Sequence, residues 1–244
     1  MAATKYGEKS AGKSEFVVVA SHAAGDDMKT AIVARKLAEK LKASLIINKK
    51  YFKPSNSRAD KIPERVEDFN DLTWSTKRGK YVWRRKQPDM KLFYNDLDTL
   101  CEKARKYSPK NKATAIHIHG IYSKDVGIDI GVGVKKFNHG NKVFGSIFHK
   151  ESGGNTGAIT LKISLAKKIK KELNKNLKKD HDLTATLGES YSGWSRQSAI
   201  QFHKHSGRDD YAIQFEINHT LRSNKESRNY TVNLLAETLT KILT

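Results

Sequence analysis

Phe16-Val17-Val18-Val19-Ala20-Ser21-His22-Ala23-Ala24-Gly25-Asp26-Asp27 is the stretch whose reading decides the fold. An unbroken apolar, β-branched run over 16–20 reads as a buried strand. A loop of small and acidic residues follows. A helix then runs from about Met28 to Lys42, with Ile32, Val33, Leu37 and Leu41 on one stripe and Asp26 or Asp27 placed to cap its start. Ser44 to Asn48 is a second strand. Strand, loop, helix and strand in that order make a βαβ unit, which predicts a largely parallel sheet with helices on its faces.

Outward from this unit the chain keeps the same character. Residues 1–14 are polar and lack an apolar signal region, so they predict a disordered tail before one catalytic domain over 15–244. Residues 49–91 are irregular, interrupted by Pro54, Pro63 and Pro88 and seeded with Trp74, Tyr81 and Trp83, which read as anchors for a long loop. Leu92 to Tyr107 has helical spacing, and Asp129-Ile130-Gly131-Val132-Gly133 reads as a glycine-containing loop or short strand. Ile159 to Lys178 is an amphipathic helix, Leu183 to Leu187 and Tyr211 to Ile217 are strands, and Asn229 to Leu243 is a closing helix.

Composition narrows the function classes. The 244 residues carry 46 Lys+Arg against 26 Asp+Glu, a net charge of +20, spread over helix faces rather than gathered in one tail. Nucleic-acid binding is therefore the weaker reading; a solvated surface, or attraction of small anionic substrates, is the stronger. No segment approaches the length of a membrane span. The single cysteine, Cys101, forbids an internal disulfide, fits a cytoplasmic protein and leaves metal binding to His and carboxylate.

Three strands carry the chemistry. The first ends in His22, with Asp26 and Asp27 within a turn. The second, Ala115-Ile116-His117-Ile118-His119-Gly120, places two histidines on one face, His119 nearer the end and His117 deeper as its supporting partner; Gly120 suggests a close approach. The third, Ala212-Ile213-Gln214-Phe215-Glu216-Ile217-Asn218, puts Glu216 among apolar neighbours, where an ionised carboxylate needs a partner. A salt bridge to Arg222 or Arg196 would provide one; a metal-centred hydrolytic site, with Glu216 as general base, is the reading we favour. His203-Lys204-His205 reads as a solvated polar loop, His139 and His149 as unspecific, and Cys101 as core.

Four stretches in this order resemble the N-formylglutamate amidohydrolase family, and more distantly phage poly-γ-glutamate hydrolases and zinc carboxypeptidases. They are Ser21-His22-Ala23-Ala24-Gly25-Asp26-Asp27, Arg65-Val66-Glu67-Asp68-Phe69-Asn70-Asp71, Ile116 to Gly120, and Tyr211 to Asn218. The resemblance implies a three-layer αβα sandwich around a central mixed, mostly parallel sheet, of the zinc-exopeptidase or phosphorylase-hydrolase kind. It implies one Zn²⁺ held by His22, His119 and an acid. Asp26 fits the amidohydrolase register and Asp27 the poly-γ-glutamate hydrolase register; Asp27 is preferred because Asp26 is the better helix cap. It implies Glu216 as catalytic carboxylate and an amide of an N-acyl amino acid, or a small anionic γ-glutamyl or peptide-like molecule, as substrate. A carboxypeptidase or polymer hydrolase is the alternative. Asn70 would contact substrate. Asp71 stands where the family has an arginine, so Arg58, Arg65, Arg196 or Arg222 would grip the substrate carboxylate instead.

Overall fold

In the computed structural model, which describes residues 1–27, 29–75, 77–78, 80–82, 88–136, 143–145, 157–195, 197–205 and 207–244, the N-terminus is not a loose tail. β1 (Ala2–Ala3) and β2 (Gly7–Ser10) form an antiparallel hairpin that extends the main sheet. The expectation of disorder over 1–14 missed its anchor. Tyr6 is fully buried, packs edge-on against Phe93 with ring centroids 5.0 Å apart, and donates its hydroxyl to Asp96 at 2.7 Å.

β3 (Phe16–Ala20), α1 (Thr30–Lys40) and β4 (Ser44–Asn48) form the βαβ unit, with β3 and β4 parallel. Neither aspartate caps α1. The cap position is Lys29, in the left-handed region at φ 68°, and makes no side-chain cap bond. Asp27 meets the helix only through its backbone, accepting from the Thr30 hydroxyl at 2.7 Å. Its carboxylate is turned to the histidines described below.

The rest follows in chain order. A two-residue pair, β5 (Trp74–Ser75) and β6 (Lys80–Tyr81), lies in the irregular stretch, where Tyr81 is buried as an anchor. Trp83, His139, His149 and Arg196 lie outside the described residues. Next come α2 (Pro88–Arg105), β7 (Thr114–Ile121), β8 (Val126–Gly131) and a separate pair, β9 (Val134–Lys136) and β10 (Val143–Gly145). The chain closes with α3 (Ile163–His181), β11 (Thr184–Leu187), β12 (Tyr211–Asn218) and α4 (Lys225–Leu243). No helix among the described residues is long and apolar enough to cross a membrane.

The main sheet has eight strands in the order β1-β2-β4-β3-β7-β12-β8-β11. β4, β3, β7 and β12 run parallel; β8 is antiparallel to β12, and β11 is parallel to β8. This is the mixed, mostly parallel αβα architecture. One face is largely apolar: Val18, Ile116, Ile118, Ile213, Phe215 and Ile217 pack with Leu37 of α1, Ile169 and Leu173 of α3, and Leu235 and Leu239 of α4. The other face is divided. Val17, Val19 and Ile46 pack under Phe93, Tyr94 and Leu97 of α2. Towards the carboxyl ends of β7 and β12 the same face turns polar. A one-residue slip of β12 would turn Ile213, Phe215 and Ile217 out of the apolar face, losing about 1.5–3 kcal/mol for each. The register that buries them therefore also sets Glu216 opposite His119 and Gln214 opposite His117.

Candidate metal centre and the cleft beside it

Because β3, β7 and β12 are parallel neighbours, their carboxyl ends lie on one edge of the sheet, where open α/β sheets place their sites. His22 follows β3, while His119 and Glu216 sit near the ends of β7 and β12. The His22–Asp27 turn closes on itself through a bond from Asp27 N to His22 O at 3.2 Å, which folds the Asp27 carboxylate back over the imidazoles.

Three ligand-type atoms converge there. His22 Nδ1 and His119 Nδ1 are 3.2 Å apart, Asp27 Oδ2 is 3.0 Å from His119 Nδ1, and it is 3.3 Å from His22 Nδ1. All three residues are buried. Nitrogen and oxygen ligands about 2.0–2.1 Å from a tetrahedral zinc lie about 3.3 Å from one another, so the triangle has the size of one face of such a site. Two ring nitrogens aimed at each other beside a carboxylate are also the donor set that a cation would fit.

The far side of each ring is held. His22 Nε2 donates to Asp68 Oδ1 at 2.8 Å, which fixes the tautomer with its Nδ1 lone pair facing the triangle. His119 Nε2 lies 3.5 Å from Ser21 Oγ. Electrostatics follow this geometry. Burial pushes His22 down, but Asp27 and Asp68 overcome it and raise the imidazole to about 9. His119 is lowered, because burial outweighs the pull of Asp27. Burial works to raise Asp27, yet the two histidines hold it well below the usual carboxylate range. Asp68 is likewise lowered by His22 against its own burial.

Glu216 is buried and its carboxyl is pushed well above the ordinary value, first by desolvation and then by Asp27. Its hydrogen-bond partner is neither arginine named from the sequence but Gln214, whose Nε2 donates to Glu216 Oε1 at 2.8 Å and also reaches Tyr191 O at 3.4 Å. The other carboxylate opposite Glu216, Asp129 on β8, is fully buried and does structural work. It accepts the Thr186 hydroxyl at 2.7 Å and the backbone N–H groups of Glu189, Ser190 and Tyr191 at 3.2, 2.8 and 3.1 Å. That clamp fixes the loop after β11 as one wall of a cleft of about 320 Å³, with Asn70, Ser198 and Gln214 across from it.

The remaining residues named from the sequence are dispersed. Asp26 points away from the triangle, accepting from Lys53 N at 2.9 Å and Asn56 Nδ2 at 2.7 Å. Arg58 donates to Ala24 O and Asn56 Oδ1 and covers the Phe52 ring. Arg65 donates to Lys50 O at 2.8 Å and flanks the same ring. Arg222 is 1% exposed and donates to Ile217 O at 3.0 Å beneath the sheet edge. It explains Gly120: a Cβ there would lie 2.5 Å from the Arg222 guanidinium.

Two histidine expectations are corrected. His117 does not support His119; its Nε2 meets His203 Nε2 at 3.0 Å. His203 is not solvated: it is 1% exposed, in a short 3-10 segment (Ala199–Lys204), and burial lowers it to about 4. Cys101, His203 and Asp210 form a second compact group, but Asp210 is already taken by Arg105 at 2.8 and 2.6 Å and by Ala113 N at 2.9 Å. Asp68, Gln214 and Asp129 were missed as functional residues. Asp68 and Gln214 stand inside stretches singled out in the sequence, and Gln214 shares a strand face with Glu216.

No family model matches the chain, and no curated protein matches it. Among solved structures, the gene product Atu2144 from Agrobacterium tumefaciens is similar at 15% identity and a TM-score of 0.52, over 95% of this chain and 91% of that one. YNDL in its zinc-free apo form is similar at 14% identity and a TM-score of 0.50, over 97% and 90%. A bacteriophage poly-γ-glutamate hydrolase matches at 12% identity and a TM-score of 0.46, over 96% and 87%. The first two share the αβα fold along nearly the whole chain.

Proposed function

We propose that this protein is a zinc-dependent hydrolase that cleaves an amide bond in an N-acyl amino acid, γ-glutamyl or peptide-like substrate. The observation that carries the reading is the triangle of His22 Nδ1, His119 Nδ1 and Asp27 Oδ2, with sides of 3.0 to 3.3 Å, next to a buried carboxyl on the neighbouring strand. These three residues would hold the metal. When bound, zinc supplies a Lewis acid that acidifies water and polarises a carbonyl.

The chain's own groups account for the rest. Asp68 keeps the His22 ring in the tautomer that leaves Nδ1 bare. Glu216, raised by burial and oriented by Gln214, takes a proton from the attacking water and passes it to the leaving amine. His22, Gln214 and Glu216 are buried, which strengthens each electrostatic interaction.

The test combines metal analysis with turnover. Protein purified with zinc present should hold one equivalent, and His22→Ala should lose it. Glu216→Gln should retain the metal while hydrolysis of N-acyl amino acids or γ-glutamyl peptides falls by at least about a hundredfold. Full activity in Glu216→Gln, or no stoichiometric metal in the parent protein, would sink the proposal.

A further inference from the structure

The cleft beside Glu216 is joined to the metal triangle on two sides. Across it, Asn70 N donates to Asp68 Oδ1 at 2.8 Å, and Asp68 holds His22. On the other side, Gln214 holds Glu216. The cleft is thus one hydrogen bond away from both the metal-binding and the proton-shuttling machinery.

Its chemistry is unbalanced. Gln214 is 2% exposed, and its Oε1 is buried with no hydrogen-bond partner among the described residues; Asn70 Oδ1 is in the same condition. The Gln214 Nε2 lies between Glu216 Oε1 and Tyr191 O, which leaves its Oε1 as the unpaired end of the amide. The unpaired atom is therefore the carbonyl oxygen. A buried acceptor without a donor costs about 1–3 kcal/mol, and two at one cleft call for a ligand that brings donors. Among the described lining residues the charged one is acidic, Glu189. The hydroxyls of Ser190, Ser192, Ser195 and Ser198 also line it. The wall does not need ordering on binding, because Asp129 clamps three successive backbone N–H groups of the loop and Gln201 Nε2 holds Gly193 O at 2.7 Å.

We propose that this cleft is the specificity subsite of the enzyme and that it takes an N–H-bearing group of a peptide-like substrate, an amide or amine whose hydrogens pair with Gln214 Oε1 and Asn70 Oδ1, rather than a carboxylate. It rests on the hydrolase reading of the site for its role in catalysis, while the binding it asserts can be measured without turnover. A group with tertiary nitrogen, or a carboxylate, leaves both oxygens unpaired or repelled.

The experiment is an NMR titration of the full-length ¹⁵N-labelled chain, with and without one equivalent of zinc. The probes are propionamide, N,N-dimethylpropionamide and propionate, of which only the first carries an N–H. The primary amide should bind at least about tenfold more tightly than either other probe, with shifts centred on the amides of Ser190 to Ser195. In Asn70→Ala the preference should shrink to about threefold or less, while the parent fold's spectrum persists. Equal or tighter binding of the dimethylamide or the carboxylate, shifts located elsewhere, no saturable binding by any probe, or an undiminished preference in Asn70→Ala would overturn the proposal. Amide preference in a protein with no zinc-dependent turnover would instead sink the hydrolase reading and leave the subsite standing.

Discussion

Replacing Asp68 with Asn tests whether the triangle is a metal site, and its size can be worked from the structure. Asp68 accepts the His22 Nε2 proton at 2.8 Å and is one of the two carboxylates that raise His22 to about 9. Removing such an outer partner costs about 10- to 100-fold in metal affinity. The Asp68 side chain is 25% exposed, so solvent screens part of the effect and the lower end, about tenfold, applies. Proton competition works in the opposite direction. A metal must displace the His22 proton, and with an imidazole raised to about 9 that displacement weakens binding at pH 7. Asp68→Asn lowers the His22 value, so the variant loses less to protons than the parent does. The zinc deficit of the variant should therefore be larger at pH 8.5 than at pH 7. In the parent, apparent affinity should climb steeply between those values. Competition against a chromophoric chelator at both pH values measures this. Unchanged affinity in Asp68→Asn at pH 8.5, or a deficit that grows as pH falls, would refute the placement of Asp68 behind His22 and of His22 at a metal.

Three further outcomes are expected. Gly120→Ala sets a methyl 2.5 Å from Arg222 Nη2 and 2.6 Å from its Cζ; because Arg222 is buried and tied to Ile217 O, the variant should lose about 1–3 kcal/mol in urea unfolding, and a loss below about 0.5 kcal/mol would contradict the packing. Asp129→Asn removes the charge that three loop N–H groups share, so exchange of the Glu189, Ser190 and Tyr191 amide hydrogens should accelerate at least about tenfold while β7 amides stay protected. His203 is lowered by burial to about 4, so between pH 6.5 and 4 the unfolded chain binds a proton that the folded chain refuses. Stability should therefore fall with pH across that window, by up to about 3 kcal/mol from this group, and denaturation of His203→Gln should show a shallower acid dependence.

The sequence legibly predicted the parts whose signal is local. The apolar run at 16–20, the stripe on α1 and the alternation over 211–218 each bury one set of side chains, and burial dictates period and register. His22, His119 and Glu216 could be named as a group because each interrupts or ends such a run, and Asp26 and Asp27 because they follow His22 within a turn. The N-terminal hairpin was missed because its anchors, Tyr6 against Phe93 and Asp96 and the pairing of β2 with β4, act through residues far along the chain. His203 was misread for the same reason: a polar local context says nothing about α2 and β7 closing over it.

By itself, then, the order of residues determined a largely parallel sheet with helices on its faces and the edge where the polar strand ends gather, since hydrophobic periodicity is a property of neighbours along the chain. Only the tertiary structure turned the Asp27 carboxylate to His22 and His119 and that of Asp26 to Lys53 and Asn56, set Asp68 behind His22, turned Arg58, Arg65 and Arg222 to backbone carbonyls, and gave Glu216 an amide partner instead of a guanidinium. Those choices depend on hydrogen-bond directions and desolvation at positions far apart in the chain, and a hydrogen bond's partner exists only once the strands that carry both ends have been brought together.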